Sequence, residues 1–181
     1  MKTHCMVDLE TLGTLPGSVI VSIGAVAFQQ SEKVGLFYTN VSIKSCLNAG
    51  MVVDAGAIKF WMTVATQETR DDLFREPRGL KEALHEFNDF WRRNECNWIW
   101  SHGAGFDVPL LDVAYDLAGY GDFRPWAFRN ARDTRTIYSL LPFGKPTMPL
   151  QSRKHNALAD AEYQAESVRA AYRELGKELE A

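Results

Sequence analysis

Hydrophobic and polar positions change their period twice along the chain. Residues 3–9, THCMVDL, read as a short strand that runs into the turn-forming GTLPGS. VIVSIGAVAF (19–28) is apolar and β-branched, which predicts a buried central strand. VGLFYTNVSI (34–43) follows after the turn QQSEK, so the first third predicts an antiparallel meander of three strands. From Asp54 the spacing turns helical. DAGAIKFWMTVA and TQETRDDLF read as two short helices, the first with Asp54 as its N-cap. GLKEALHEFNDFWRRN (79–94) places Leu80, Leu84, Phe87 and Trp91 at three- and four-residue steps, an amphipathic helix. NWIWSH (97–102) returns to strand. Gly103 and Gly105 then lead into FDVPLLDVAYDLAG, a helix in which Pro109 fits only within the first turn. Residues 120–135 are irregular with room for one short strand, TRTIYSLL reads as helix, and KPTMPLQSR (145–153) as a loop. The last helix carries Leu158, Ala161, Ala165, Val168, Tyr172 and Leu175 on one stripe. This order predicts an α/β domain with a mixed sheet.

The bulk numbers fit that picture and narrow the chemistry. A chain of 181 residues with 46% hydrophobic content is expected to form one domain, residues 1–181, around a core that needs no metal or disulfide staple. Its three cysteines, Cys5, Cys46 and Cys96, are widely spaced without a CxxC pair, which argues against a disulfide framework and suits a reducing cytosol. MKTHCMVDLE lacks the apolar run of a signal peptide, and no segment approaches the ~20 apolar residues of a membrane span. A cytoplasmic location is expected, with Asn40-Val41-Ser42 a chance sequon. The formal net charge is −3, so nucleic acid is not held by a broad basic surface. A phosphate partner would need local cations or bound metal.

Acidic residues then stand out at the ends of predicted elements. Asp8 and Glu10 of VDLET are two apart and share one face of an extended strand. Alone, such a pair at a strand end is a weak signal and reads first as a solvated turn. Asp107 of SHGAGFDVPLL follows a strand and two glycines, where it can cap a helix or serve a reaction. Asp160 lies beside the apolar stripe of the last helix, with Ala157 and Gln164 rather than a basic residue at three- and four-residue spacing. His155 stands five residues earlier, just ahead of that helix. A compact sheet brings these element ends together. Two carboxylates about 4 Å apart repel by roughly 4 kcal/mol at an effective dielectric near 20, so four of them need protons or cations. Hard divalent ions such as Mg²⁺ or Mn²⁺ suit oxygen ligands, and two of them can hold and polarise a phosphodiester. A histidine nearby can take a proton from water.

DLET, the GFD of HGAGFD and His155-NALA-Asp160 match in order and spacing the three motifs of the four-acidic-residue 3′→5′ exonucleases. The chain resembles the histidine variant of that superfamily, which includes oligoribonuclease, ribonuclease T and polymerase proofreading domains. DLETLGTLPGSVIVSIGAVAF, KFWMTVATQETRDDL and ARDTRTIYSLL further resemble the phage exodeoxyribonuclease and mycobacterial exoribonuclease group. The carboxyl-terminal nuclease of exodeoxyribonuclease VIII is similar. The resemblance implies a ribonuclease H-like fold, a mixed five-stranded sheet flanked by helices, with two Mg²⁺ or Mn²⁺ ions per site. It implies release of nucleoside 5′-monophosphates from single-stranded or frayed 3′ ends of DNA or RNA. Asp8, Glu10, Asp107 and Asp160 would be metal ligands and His155 the general base. Thr11 and Leu12 would lie where relatives contact the terminal nucleotide, with Trp61 and Phe106 as candidates for base or sugar packing. Arg132, Asp133 and Arg135 would meet phosphate or form surface ion pairs. His102 stands where relatives usually carry Asn, and Val108 where many carry a polar residue. Both positions flank the expected nucleotide pocket. Many relatives are homodimers.

Two other readings stay open on sequence grounds. One is an endonuclease or other phosphodiesterase of the same fold. The other is an inactive nucleic-acid-binding module, which would be expected to lack one of the five site residues; all five are present. No residue is diagnostic of the ribose 2′-hydroxyl, so DNA and RNA both remain.

Overall fold

The computed structural model describes residues 2–146 and 155–179. Three strands come first: β1 (Thr3–Thr11), β2 (Ile20–Phe28) and β3 (Lys33–Asn40). Helices α1 (Ile43–Asn48), α2 (Ala55–Thr63), α3 (Gln67–Leu73) and α4 (Leu80–Arg93) follow, then β4 (Cys96–Ser101) and α5 (Asp107–Leu117). After 3₁₀ turns at Gly121–Phe123 and Phe128–Asn130 come β5 (Ala131–Asp133), α6 (Thr134–Tyr138) and α7 (Ala157–Glu174). The five strands form one mixed sheet in the order β3-β2-β1-β4-β5. The first three pair antiparallel, while β4 joins β1 and β5 joins β4 in parallel.

β1 is central and sorts its side chains to two layers. Cys5, Val7 and Leu9 enter the larger core, shared with Leu84 and Phe87 of α4 and with Leu110, Leu111 and Ala114 of α5. Met6 points the other way and packs with Val26, Trp100, Ala161, Ala165 and Val168 beneath α7. The last helix is thus held by the apolar stripe read in its sequence. Each large side chain fully buried in this way stabilises the fold by about 1.5–3 kcal/mol. Because the strand alternates, Asp8 and Glu10 fall on the α7 face.

Three boundaries differ from the sequence reading. β1 continues to Thr11 through a register shift between Glu10 and Thr11. The third strand stops at Asn40, not residue 43, and residues 43–48 form α1, whose N-cap Ser42 accepts the Ser45 N–H. The cause is Asn40: its side-chain amide donates to the carbonyls of Asp72 and Arg75, diverting the chain from the sheet edge. The helix expected over TRTIYSLL ends at Tyr138. The loop expected over 145–153 lies outside the described residues from position 147 onward.

Candidate active site

The two carboxylates of β1 meet α7 because β2 makes room for it. Asp8 pairs with Gly24 across the antiparallel ladder, so both residues face α7. A Cβ on Gly24 would lie 2.1 Å from the Ala157 carbonyl carbon and 2.3 Å from the Leu158 nitrogen. Glycine here lets the first turn of the helix rest directly on the sheet. Asn156 caps that turn by accepting the Ala159 N–H at 3.1 Å, and Asp160 Oδ2 accepts the Asn156 N–H at 3.2 Å. This reciprocal arrangement resembles a capping box and fixes the Asp160 carboxylate toward the sheet. One ligand oxygen each from Asp8, Glu10 and Asp160 then lies within 4.8 Å of the others.

Asp107 approaches from the opposite layer. It is the first residue of α5, and its Oδ1 accepts the Leu9 N–H at 3.1 Å. The ladder between β1 and β4 ends at Met6 and Trp100, so the carboxylate takes over a strand donor that β4 no longer reaches. Asp107 is therefore tied to β1 between Asp8 and Glu10. Pro109 falls in the first turn of α5, as the sequence required.

Crowding shows in the ionisation of these groups. Burial, then the charges of Asp107, Asp160 and Glu10, push the Asp8 carboxyl well above the usual carboxylate range, against the pull of a Gln164 hydrogen bond. Glu10 rises to about 8 through burial, then through Asp160 and Asp107. Asp107 rises to about 7, chiefly through burial; the Leu9 N–H and the Arg135 charge oppose the rise. Such a set repels itself when ionised and is relieved by protons or by a cation. Two enclosed polar atoms at the same place add to the case for cations. Ser22 Oγ, opposite Glu10 in the ladder, and Gln164 Oε1 have no hydrogen-bond partner among the described residues. Buried orphans of this kind call for a bound group, and a hydrated divalent ion brings water donors with it. The oxygen-only donor set fits Mg²⁺ or Mn²⁺.

Gln164 went unassigned in the sequence reading, although it was visible as a neighbour of Asp160. One turn along α7, its Nε2 donates to Asp8 Oδ1 at 2.7 Å, linking the helix to the strand carboxylate. Phe60 was also missed. His155 is exposed on the loop before α7, at φ 61°, and meets the Phe60 ring edge-on with centroids 5.0 Å apart. Phe60 in turn lies edge-on to Trp61 at 5.4 Å. Trp61 is 7% exposed and its Nε1 donates to the Thr11 carbonyl at 2.8 Å, so it braces the end of β1 from within the core. Thr11 Oγ1 donates to the Gly13 carbonyl, while Leu12 and Phe106 are partly buried against the core.

The remaining candidates separate cleanly. Val108 is buried in the larger core. Arg132 stacks over Trp98 at 3.9 Å and donates to two backbone carbonyls. Asp133 caps α6 and accepts the Gly103 N–H, while His102 Nδ1 pairs with Thr134 Oγ1 at 2.7 Å. Burial, then the nearby Arg135, lowers the His102 pKa. His102, Arg135, Lys145, Tyr163, Gln164 and Asp160 border a cleft of about 630 Å³ that opens off the carboxylates.

A mixed five-stranded sheet with acidic residues from its central strand, a crossover helix and the final helix, plus a histidine ahead of that helix, defines the DEDDh class of 3′–5′ exonucleases on the ribonuclease H-like fold. Within that class, the family model of the Rv2179c-like 3′-5′ exoribonuclease domain matches residues 3–172, and the chain belongs to this family. It is a 3′–5′ exonuclease, a hydrolase of phosphodiester bonds. A search of curated proteins finds no match. Among solved structures the fold is similar to exonuclease X in complex with 5′ overhanging duplex DNA, at a TM-score of 0.60 and 15% identity over 96% of this chain and 93% of that one.

Proposed function

We propose that the chain removes nucleoside 5′-monophosphates one at a time from the 3′ end of a single-stranded or frayed nucleic acid, using two divalent ions and a histidine base. The convergence of Asp8, Glu10 and Asp160 within 4.8 Å, with Asp107 tied to the same strand, carries this reading. These four carboxylates would hold the ions. When bound, Mg²⁺ or Mn²⁺ would polarise the phosphate, favour ionisation of the attacking water and offset charge on the leaving oxygen. Gln164 holds Asp8 in place through its amide, and the Asn156 N–H does the same for Asp160. His155 takes the proton from water, with its ring set by the edge of Phe60. Thr11 and Leu12, braced by Trp61, form the wall for the terminal nucleoside.

The family description supports RNA as a substrate, and the DNA-bound neighbour supports nucleic acid more broadly. Three free, buried cysteines suit a reducing compartment such as the cytosol, and no helix among the described residues is long and apolar enough to cross a membrane. Pairing as a homodimer is proposed on the same family resemblance; light scattering would then give twice the 20.4 kDa of one chain.

Digestion of sequence-matched, 5′-labelled RNA and DNA oligomers with Mg²⁺, Mn²⁺ or EDTA tests the reading. A ladder shortening from the 3′ end, with mononucleotide release only in metal, is expected. Internal cuts at first turnover, or activity in EDTA, would refute it.

A further inference from the structure

The cleft beside Asp160 has a lining unlike the rest of the site. Its charged residues are Arg135 and Lys145 on one side and Asp160 at the carboxylate end, and Tyr163, Ser139, Gln164 and His102 supply neutral polar groups. The Arg135 guanidinium lies over Gly103, whose hypothetical Cβ would be 3.5 Å from its Cζ. Neither cation makes a side-chain hydrogen bond or ion pair among the described residues. Several other arginines are engaged: Arg70 with the Trp61 and Ala65 carbonyls, Arg124 with Asp112, Arg132 with Trp98, Arg169 with Glu166. Arg92 and Arg129 also make no side-chain hydrogen bond or ion pair among the described residues, but neither lines this cleft. The side-chain donors of Arg135 and Lys145 line it and are open to an anion there.

The two sides of the carboxylates differ in chemistry. Toward α2 the wall is apolar, with Phe60 and Leu12 partly exposed over the buried Trp61, and suits one nucleoside. Toward α6 it is cationic, rich in polar groups and about 630 Å³ in volume, within the range that takes a nucleotide-sized group. A strand whose last phosphodiester sits at the carboxylates must send its polyanionic remainder out by one of these sides. Resting on the exonuclease reading above, we propose that the cleft holds the phosphodiester backbone immediately 5′ to the scissile bond, with Arg135 and Lys145 as its phosphate contacts. The enzyme then prefers chains that carry phosphates beyond the scissile one.

Steady-state kinetics on an unphosphorylated dinucleotide, bearing the scissile phosphate alone, and on a hexanucleotide of the same sugar tests this. The wild type should favour the hexanucleotide by at least tenfold in kcat/KM. Arg135→Gln with Lys145→Ala should remove most of that preference, chiefly through KM. The salt dependence of kcat/KM on the hexanucleotide should become shallower by about 1.4 in log–log slope, two contacts at roughly 0.7 each on a single strand. Arg135→Lys with Lys145 intact should keep most of both effects. An unchanged preference and salt slope in the double variant would overturn the subsite. So would a wild type indifferent to chain length. If the wild type releases no mononucleotide from the hexanucleotide with either metal, the exonuclease reading itself fails.

Discussion

Asp8 tests the site at the scale of a single residue. It sits among three other carboxylates and accepts the Gln164 amide. Asp8→Asn keeps the shape and removes one repelling charge. Activity should fall by 10³ or more, while the metal-free variant at pH 8 melts no lower than the wild type. A lower melting temperature would mean that the charge is a fold determinant. His155→Ala should reduce kcat by about 10²–10⁴ if the ring is the general base. Phe60→Leu should leave the ring present but poorly oriented, a smaller loss in kcat with the same metal requirement. The acids were legible together and not singly: each alone read as a turn or a cap, and the order and spacing of the three motifs singled them out. Gln164 and Phe60 were not, since their roles arise only when α7 crosses β1 and α2 folds back onto the loop before it.

At the scale of elements, the placement of α7 decides whether Asp160 meets Asp8. Gly24 is the contact that permits it, and its only sequence signal was a glycine inside an apolar strand. Gly24→Ala should push the first turn of α7 off the sheet. Overpacking of this kind destabilises by about 1–3 kcal/mol. Loss of metal affinity should accompany the drop, read by differential scanning calorimetry with and without Mn²⁺. The long periodic elements, β2, α4 and α7, matched their sequence patterns because one buried face sets each of them. The third strand failed to continue past Asn40 because a side-chain amide captures carbonyls of Asp72 and Arg75, at the end of α3 and just beyond it, a long-range contact invisible to local periodicity.

At the scale of the whole molecule, the site is a cluster of mutually repelling carboxyls that a bound cation would relieve. Glu10 moves from 4.5 to about 8 and Asp107 from 3.8 to about 7, so the folded chain holds protons that the unfolded chain releases. For groups with raised folded values, the stabilisation is full below the unfolded value and is lost as pH rises through the folded one. In EDTA the stability these groups contribute, read as melting temperature, should therefore fall between about pH 4 and pH 8. Saturating Mn²⁺ should flatten that fall, because bound cations replace the protons. The α/β mixed-sheet class was readable from the order of strands and helices, and the class of reaction from the resemblance carried by the three motifs. The geometry of the cleft was not, because His102, Arg135 and Lys145 come from three separate segments with no shared pattern.

If the four carboxylates form one divalent-cation centre, the free protein should bind Mn²⁺ saturably. Titration calorimetry with Mn²⁺ at pH 7, in buffers of different ionisation enthalpy, tests it most directly. Two ions per chain are expected, bound with release of protons from the crowded carboxyls, with loss of at least one ion in Asp8→Asn. No saturable binding by the wild type, or binding undisturbed by Asp8→Asn and without proton release, would contradict it.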